Sequence, residues 1–149
     1  RERQVRGLSS EQVEWFHAAD KGRVNRRGWY FDLDMQGADG EMVIEKMQLL
    51  GNTLFVQTLV PNSDPCASGV SNWLYAVNAS TGGQTAHHAF DTKGPNGEII
   101  AAIRFGSEGG VVISQDETGF KANAPADEEA VAPDPDSLGR QSWRMMHDA

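Results

Sequence analysis

The side chains that could carry out chemistry in this chain are two adjacent histidines, one cysteine and two closely spaced aspartates. His87 and His88 can supply a metal ligand or a general base, but neighbouring strand residues point to opposite faces, so at most one can serve a given site. Cys66 lies in a proline-containing loop with no residue placed to activate it. Asp32 and Asp34 would lie about 7 Å apart on one strand face, a spacing open to acid–base chemistry, yet solvated aspartates at a strand end explain them as well. We therefore predict no catalytic residue.

A second group of oxygen-bearing side chains lies in the segment Asp91-Thr-Lys-Gly-Pro-Asn-Gly-Glu98. Calcium needs about six to eight oxygen ligands that converge in one short loop. Asp91 and Asn96 are the candidate metal ligands, but Lys93 and Pro95 stand where further oxygen donors would be required. A hairpin turn, with a local hydrogen bond from Asp91 and a positive φ at Asn96-Gly97, is the alternative interpretation.

The elements that would position these residues are short strands. Sixteen glycines and six prolines interrupt brief apolar runs in 149 residues that are 39% hydrophobic, which predicts one all-β domain over residues 1–149. The pair Gly51-Asn52 predicts a two-residue hairpin turn. A capping box at Ser9 predicts one short N-terminal helix as far as Ala19. The predicted strands cover residues 1–8 as an edge strand, 27–34, 42–50, 53–60, 73–78, 84–90, 99–105 and 111–114, the last two as a hairpin, with strand character again at 139–146.

Two segments between strands are predicted to face solvent. The long loop at residues 61–69 is a candidate binding surface, with Asp64 inside it and Asn72 just after it. Residues 122–137 contain three prolines, five acidic residues and no basic residue, which predicts an exposed or disordered connector that is a second candidate binding surface.

Charge and length exclude some classes of protein. The net charge is −8, and seven of the 13 basic residues fall in the first 27 positions, where a solvated polar face explains them better than a nucleic-acid site. No stretch approaches the roughly 20 apolar residues that span a bilayer. The single cysteine cannot form a disulfide within the chain, so any partner of Cys66 is elsewhere. The chain begins with Arg1, and we expect it to be a piece of a longer protein.

The order of several motifs resembles the C-terminal end of type IV pilus tip-associated adhesins of the PilC/PilY family. These motifs are Arg27-Gly-Trp-Tyr-Phe-Asp-Leu33, the hairpin, Thr58-Leu-Val-Pro-Asn-Ser-Asp-Pro-Cys66, Ser71-Asn-Trp-Leu-Tyr75, Thr81-Gly82 and Gly139-Arg-Gln-Ser-Trp143.

The resemblance implies antiparallel meander sheets that form part of a modified β-propeller. A blade takes about 40 to 50 residues, so the chain would supply about three blades, and the remainder of the propeller becomes an expected partner. It also implies a non-enzymatic role in pilus assembly, retraction, twitching motility and attachment. The protein would be exported to the cell surface, pilus tip or outer membrane, with minor pilins and host or abiotic surfaces as partners. The family's calcium site would lie before Arg1, so no cofactor is expected within this segment and Ca²⁺ is expected only in the full-length protein.

Two alternatives remain. Leu74-Tyr-Ala-Val-Asn-Ala-Ser-Thr-Gly82 also resembles the repeat of quinoprotein dehydrogenase propellers, but the turn occurs once here and lacks the tryptophan that usually follows it. The other alternative is a structural scaffold for a neighbouring adhesive domain.

Overall fold

The computed structural model describes residues 3–9, 28–33, 40–62, 66, 70–105 and 110–132. Within these ranges the regular structure consists of nine strands, paired antiparallel throughout, in two sheets. The strands are β1 (Val5–Arg6), β2 (Met42–Val43), β3 (Gln48–Leu50), β4 (Thr53–Val60), β5 (Ser71–Asn78), β6 (Ala102–Phe105), β7 (Val112–Asp116), β8 (Gly119–Ala124) and β9 (Asp127–Val131). The predicted all-β, antiparallel fold is confirmed, whereas the predicted N-terminal helix and the strand at 139–146 lie outside the described residues.

The larger sheet is built around the pair β4 and β5, which are in register from Thr53 opposite Asn78 to Val60 opposite Ser71. Strand order is β1-β6-β5-β4, and both β2 and β3 pair with the far edge of β4. The predicted hairpin is confirmed, because Leu50 pairs with Thr53 across Gly51 and Asn52. Gly51 supplies the positive φ of 61° that the tight turn requires.

Apolar side chains cover both faces of this sheet, because Trp73 and Tyr75 alternate along β5 with Leu74 and Ala76. Leu74 and Ala76 face the larger core, which also contains Phe55, Ile103 and Phe105. Trp73 and Tyr75 face a smaller core with Val56 and Ala102, onto which Phe31 and Leu33 pack. A strand buried on both faces resists unfolding and holds its register, so β4 and β5 form the rigid centre of the molecule.

The smaller sheet is a meander of β7, β8 and β9 that packs on the larger core through Ala122 and Val131. Phe90 bridges to Val131, and hydrogen bonds join Asp91 N to Ala130 O and Ala132 N to Ala89 O. The outer side of β9 is therefore occupied by residues 89–91. At the start of β7, Val111 N donates to the buried amide oxygen of Gln57 at 2.9 Å, which ties the two sheets together.

The strand predicted at 27–34 is wrong for its described part, because residues 28–33 belong to no strand. Their side chains nevertheless alternate in burial as in a strand, since Trp29, Phe31 and Leu33 are half-buried and Tyr30 is 87% exposed. The alternate side chains pack on the smaller core, and Trp29 Nε1 donates to Ala79 O at 2.8 Å. Side-chain packing, not a backbone ladder, holds this segment.

Three further strand predictions are corrected. Residues 84–90 form no strand and contribute only the Phe90 bridge. The predicted strand at 42–50 is divided into β2 and β3 by residues 44–47. The segments at 99–105 and 111–114 do not form a hairpin with each other, because β6 pairs with β5 and β1, and β7 pairs with β8.

The predicted connector at 122–137 is wrong over residues 122–132. These residues complete β8 and form β9, and Ala122 and Val131 are core residues. The turn between the strands places Pro125 and Ala126 at its centre, and Ala126 has a φ of 61°. Residues 133–137 lie outside the described part of the chain.

Candidate functional site

The long loop predicted to bind a partner follows β4, at the open end of the β4–β5 pair. Its described residues Pro61, Asn62 and Cys66 are exposed. Asp64 lies outside the described residues, so its prediction stays a prediction. The loop begins where Val60 pairs with Ser71, so the most rigid strands of the fold carry it.

Asn72 is not a surface residue, and its prediction as part of this binding surface is wrong. It lies in β5 opposite Leu59 and Phe105 and has no exposed surface. The error arises because β5 starts at Ser71, two residues before the predicted start at Trp73, and so includes Asn72. A buried amide in a central strand serves packing and cannot contact a partner protein.

The segment from Asp91 to Glu98 closes on itself as a tight turn. Gly94 N donates to Glu98 O at 3.0 Å, and Gly97 N donates to Gly94 O at 2.9 Å. The Glu98 carboxylate accepts from Asn96 N at 2.7 Å and lies directly against Gly94. The described residues hold no cluster of three or more His, Cys, Asp or Glu that could bind a metal ion. Asp91 and Asn96 thus remain predicted ligands in a turn with fewer oxygen donors than calcium needs.

The other candidate residues are dispersed. His87 Nε2 lies 2.8 Å from Ala132 O, where it fixes the end of β9, whereas His88 is exposed. Asp32 is exposed, and Asp34 lies outside the described residues. In the part of the chain that is described, the structure does not bring these side chains or Cys66 together as a catalytic group.

The strongest electrostatic feature is a cluster that the sequence did not reveal, formed by Glu41, Arg6, Tyr75, Thr58 and Trp73. The Glu41 side chain has no exposed surface, and the Arg6 side chain is only 10% exposed. Arg6 Nη1 lies 2.8 Å from Glu41 Oε2, and its guanidinium stands 3.7 Å from the centre of the Trp73 ring. We call this group the Glu41 cluster.

Two hydroxyls complete the Glu41 cluster. Thr58 Oγ1 donates to Glu41 Oε1 at 2.5 Å, and Tyr75 OH donates to the same oxygen at 3.0 Å while accepting from Arg6 Nη1. Burial raises the pKa of Tyr75 to about 12, and the nearby Glu41 carboxylate adds to that rise. Since both Glu41 oxygens accept hydrogen bonds within the cluster and the side chain has no exposed surface, the cluster stabilises the fold and cannot reach a substrate.

A second arginine joins the two sheets. Arg3 makes a bidentate pair with Asp127, at 2.9 Å and 2.7 Å, and lies 3.4 Å from Glu129. It also donates to the backbone oxygens of Arg104 and Glu128. The hydrogen bond to Asp127 raises the pKa of Arg3, so the guanidinium stays charged at all working pH values. Arg3 therefore holds residues 3–6 against both sheets, and Arg6 fixes them to the larger one.

One polar depression lies next to this second arginine. Its volume is about 520 Å³, and it is lined by Asn123, Ala124, Ala126, Asp127 and Glu128. Small-molecule sites are mostly apolar and enclosed. A depression with this lining, whose Asp127 is already paired with Arg3, does not resemble one.

Comparison with known proteins identifies relatives of this chain by sequence. The chain is 34% identical to the type IV pilus biogenesis factor PilY1 of Pseudomonas aeruginosa strain UCBPP-PA14, over 98% of the chain and 14% of that protein. A PilY1 homolog of Xylella fastidiosa is 48% identical over 63 residues, or 40% of the chain. No family model matches the chain.

A solved structure shows which part of PilY1 this chain resembles. The crystal structure of the Pseudomonas aeruginosa PilY1 C-terminal domain superposes with a TM-score of 0.72 and 27% identity, over 89% of this chain and 29% of that one. The relatives of this chain are named type IV pilus biogenesis factors. More particularly, the chain is homologous to the C-terminal region of PilY1, and its successive antiparallel sheets are propeller-like. It spans about a seventh of the length of that relative.

Proposed function

We propose that this chain is a non-enzymatic segment of the C-terminal domain of a type IV pilus biogenesis factor. The observation that carries the proposal is the similarity to PilY1 over 98% of the chain, joined to a matching fold with a TM-score of 0.72. Both comparisons support a role in pilus biogenesis and give no support to a quinoprotein dehydrogenase. A scaffold for a neighbouring adhesive domain remains compatible with this role.

The arrangement of charged groups supports a structural and binding role. The buried Glu41 carboxylate is held by Arg6, Thr58 and Tyr75, and Asp127 is paired with Arg3. These interactions rigidify the sheets that carry the loop at 61–69, whose described residues Pro61, Asn62 and Cys66 are exposed. We infer that minor pilins and host or abiotic surfaces contact the parent protein through loops of this kind.

The proposed role places the parent protein outside the cytoplasm, at the cell surface, pilus tip or outer membrane. There it would act in pilus assembly, retraction, twitching motility and attachment. Among the described residues, no helix has the length and apolar character needed to cross a membrane. For calcium, we propose that any site of the parent protein lies outside this segment, because the Asp91–Glu98 turn is closed by its own hydrogen bonds. Calorimetric titration of the purified chain with Ca²⁺ tests this directly, and tight binding would contradict it.

The function is tested by deleting residues 1–149 in frame from the parent gene. We expect surface pili, measured as sheared pilin, to be lost while the remaining protein is still exported. Normal piliation with a stable truncated product would overturn the proposal.

The loop is tested separately by Asp64→Ala, with Glu117→Ala in the exposed β7–β8 turn as the matched control. We expect reduced attachment for Asp64→Ala with normal piliation, and no change for Glu117→Ala. Unchanged attachment by a well-exported Asp64→Ala variant would exclude the loop without affecting the proposed role in piliation.

A further inference from the structure

Exposed apolar side chains are concentrated at one strand edge. Within the described ranges, seven large hydrophobic residues are exposed, and five of them fall between positions 42 and 49. They are 41–60% exposed, and we call residues 42–49 the apolar edge: Met42, Val43, Ile44, Met47 and Leu49. Single exposed apolar side chains are ordinary, but five within eight positions along one edge indicate a contact surface.

The backbone of the apolar edge is also available for pairing. β2 and β3 both pair with β4 on one side, and no described strand pairs with their other side. Natural proteins protect a free edge with charges, prolines or a covering element. Here the charged residues are Glu45 and Lys46, which lie in the break between β2 and β3 and not within either strand. The two short strands themselves carry exposed apolar side chains at an edge that no described strand covers.

The outer strand of the smaller sheet provides a contrast. Val112 in β7 is 61% exposed, but the exposed residues that follow it in the same strand are Ser114, Gln115 and Asp116. A single exposed valine on a polar strand is ordinary for a protein surface. The apolar character is therefore specific to residues 42–49 and is not shared by both outer strands.

The length of the relatives indicates what covers the apolar edge. The chain matches 29% of the solved PilY1 C-terminal domain, so most of that domain lies outside these 149 residues. A domain buries its apolar surface within itself before any partner arrives. The rest of the domain is also tethered to this chain, which gives it an effective concentration that no separate protein reaches.

We propose that an extended segment from the remainder of the parent's C-terminal domain covers the apolar edge. This segment adds to β2 and β3 as a neighbouring strand and buries Met42, Met47 and Leu49. Its backbone forms hydrogen bonds with the outer sides of β2 and β3, with which no described strand pairs, and its own apolar side chains meet the methionines, whose flexible thioethers adapt to varied partners. The inference depends on the homology alone and stands even if the proposed role in pilus biogenesis is wrong.

The test measures the accessibility of Leu49 in the full-length parent protein. In a Cys66→Ser background, Leu49→Cys is compared with Val112→Cys, because these two side chains are 60% and 61% exposed in the isolated chain. Each variant is treated with a maleimide, and labelling of its own peptide is followed by mass spectrometry. We expect Leu49→Cys to react at least about tenfold more slowly than Val112→Cys, and at the same rate once the protein is denatured.

Equal labelling rates at the two positions in the native monomer would overturn the proposal. Protection of Leu49→Cys that disappears on dilution would identify a second copy as the occupant and would also overturn it. Protection that appears only when pilus proteins are added would do the same. Hydrogen exchange of the unsubstituted parent protein provides the second measurement, since the amides of β2 and β3 should exchange slowly, and rapid exchange there would contradict the proposal.

Discussion

Removing the charge of Glu41 should destabilise the protein more than any other single change to a charged residue described here. Glu41→Gln keeps the shape of the side chain but leaves the Arg6 guanidinium, 10% exposed and stacked on Trp73, without its counterion. Breaking a buried ion pair from one side costs about 3–5 kcal/mol. The hydroxyls of Thr58 and Tyr75 also lose a charged acceptor, so we expect a loss near the upper end of that range.

The pairwise nature of this effect is measured with a double-mutant cycle. Arg6→Met alone leaves the Glu41 carboxylate buried and should cost a similar amount, whereas Arg6→Met combined with Glu41→Gln removes both charges. We expect the two losses to be non-additive by at least about 2 kcal/mol in the free energy of unfolding. Urea unfolding followed by tryptophan fluorescence provides the free energies.

The exposed pair Lys121 and Asp116 is the matched control. Their charged atoms are 3.9 Å apart and both side chains are substantially exposed, so Lys121→Met should cost no more than about 0.5 kcal/mol. The reasoning is refuted if Glu41→Gln costs less than about 1 kcal/mol, or if its coupling with Arg6→Met is indistinguishable from zero.

Three further predictions follow from the same contacts. Tyr75→Phe should remove a loss of stability that the wild type shows at alkaline pH. Because the folded pKa of Tyr75 is raised to about 12, neutral Tyr75 contributes stability below its unfolded pKa near 10, and this contribution is lost as the pH rises through the folded pKa. Thermal melting from pH 8 to pH 12 measures it, and parallel wild-type and variant curves would contradict it. Gly82→Ala should lower the free energy of unfolding by about 1–3 kcal/mol more than Gly97→Ala does. Both glycines have a positive φ, but only at Gly82 would a Cβ meet the Trp29 ring, at 2.3 Å. Equal unfolding midpoints of the two variants in urea would exclude that contact. Ala126→Gly should raise stability by up to about 1 kcal/mol, because alanine is strained at a φ of 61°, and a lowered melting temperature would show that the turn is unstrained.

The sequence predicts the centre of the fold because local pattern and tertiary environment agree there. The alternation of Trp73 and Tyr75 with Leu74 and Ala76 matches two separate cores, and Gly51 has the turn conformation that its position indicates. Where the local pattern and the tertiary environment do not agree, the prediction is wrong. Residues 28–33 alternate like a strand, but their side chains pack on the sheet and their backbone joins no ladder.

The acidic segment shows the opposite error. Its composition indicates exposure, yet β9 is completed because Arg3, more than a hundred positions earlier, pairs with Asp127 and Glu129. The sequence did not reveal the Glu41 cluster for the same reason, since Arg6 and Tyr75 reach Glu41 from distant parts of the chain. Ion pairs between remote residues leave no periodicity in a sequence. The burial of Asn72 was missed because the start of β5 could not be fixed within a few residues.

The central claim is that this chain is the functional equivalent of the matching part of PilY1, and an exchange of segments tests it most directly. The matched residues of Pseudomonas aeruginosa PilY1 are replaced by this chain, and surface pilin is measured in a strain without native PilY1, beside a chimera carrying Glu41→Gln. We predict that the first chimera restores surface pili and that the second restores fewer. A chimera that is exported and stable but gives no surface pili would contradict the claim.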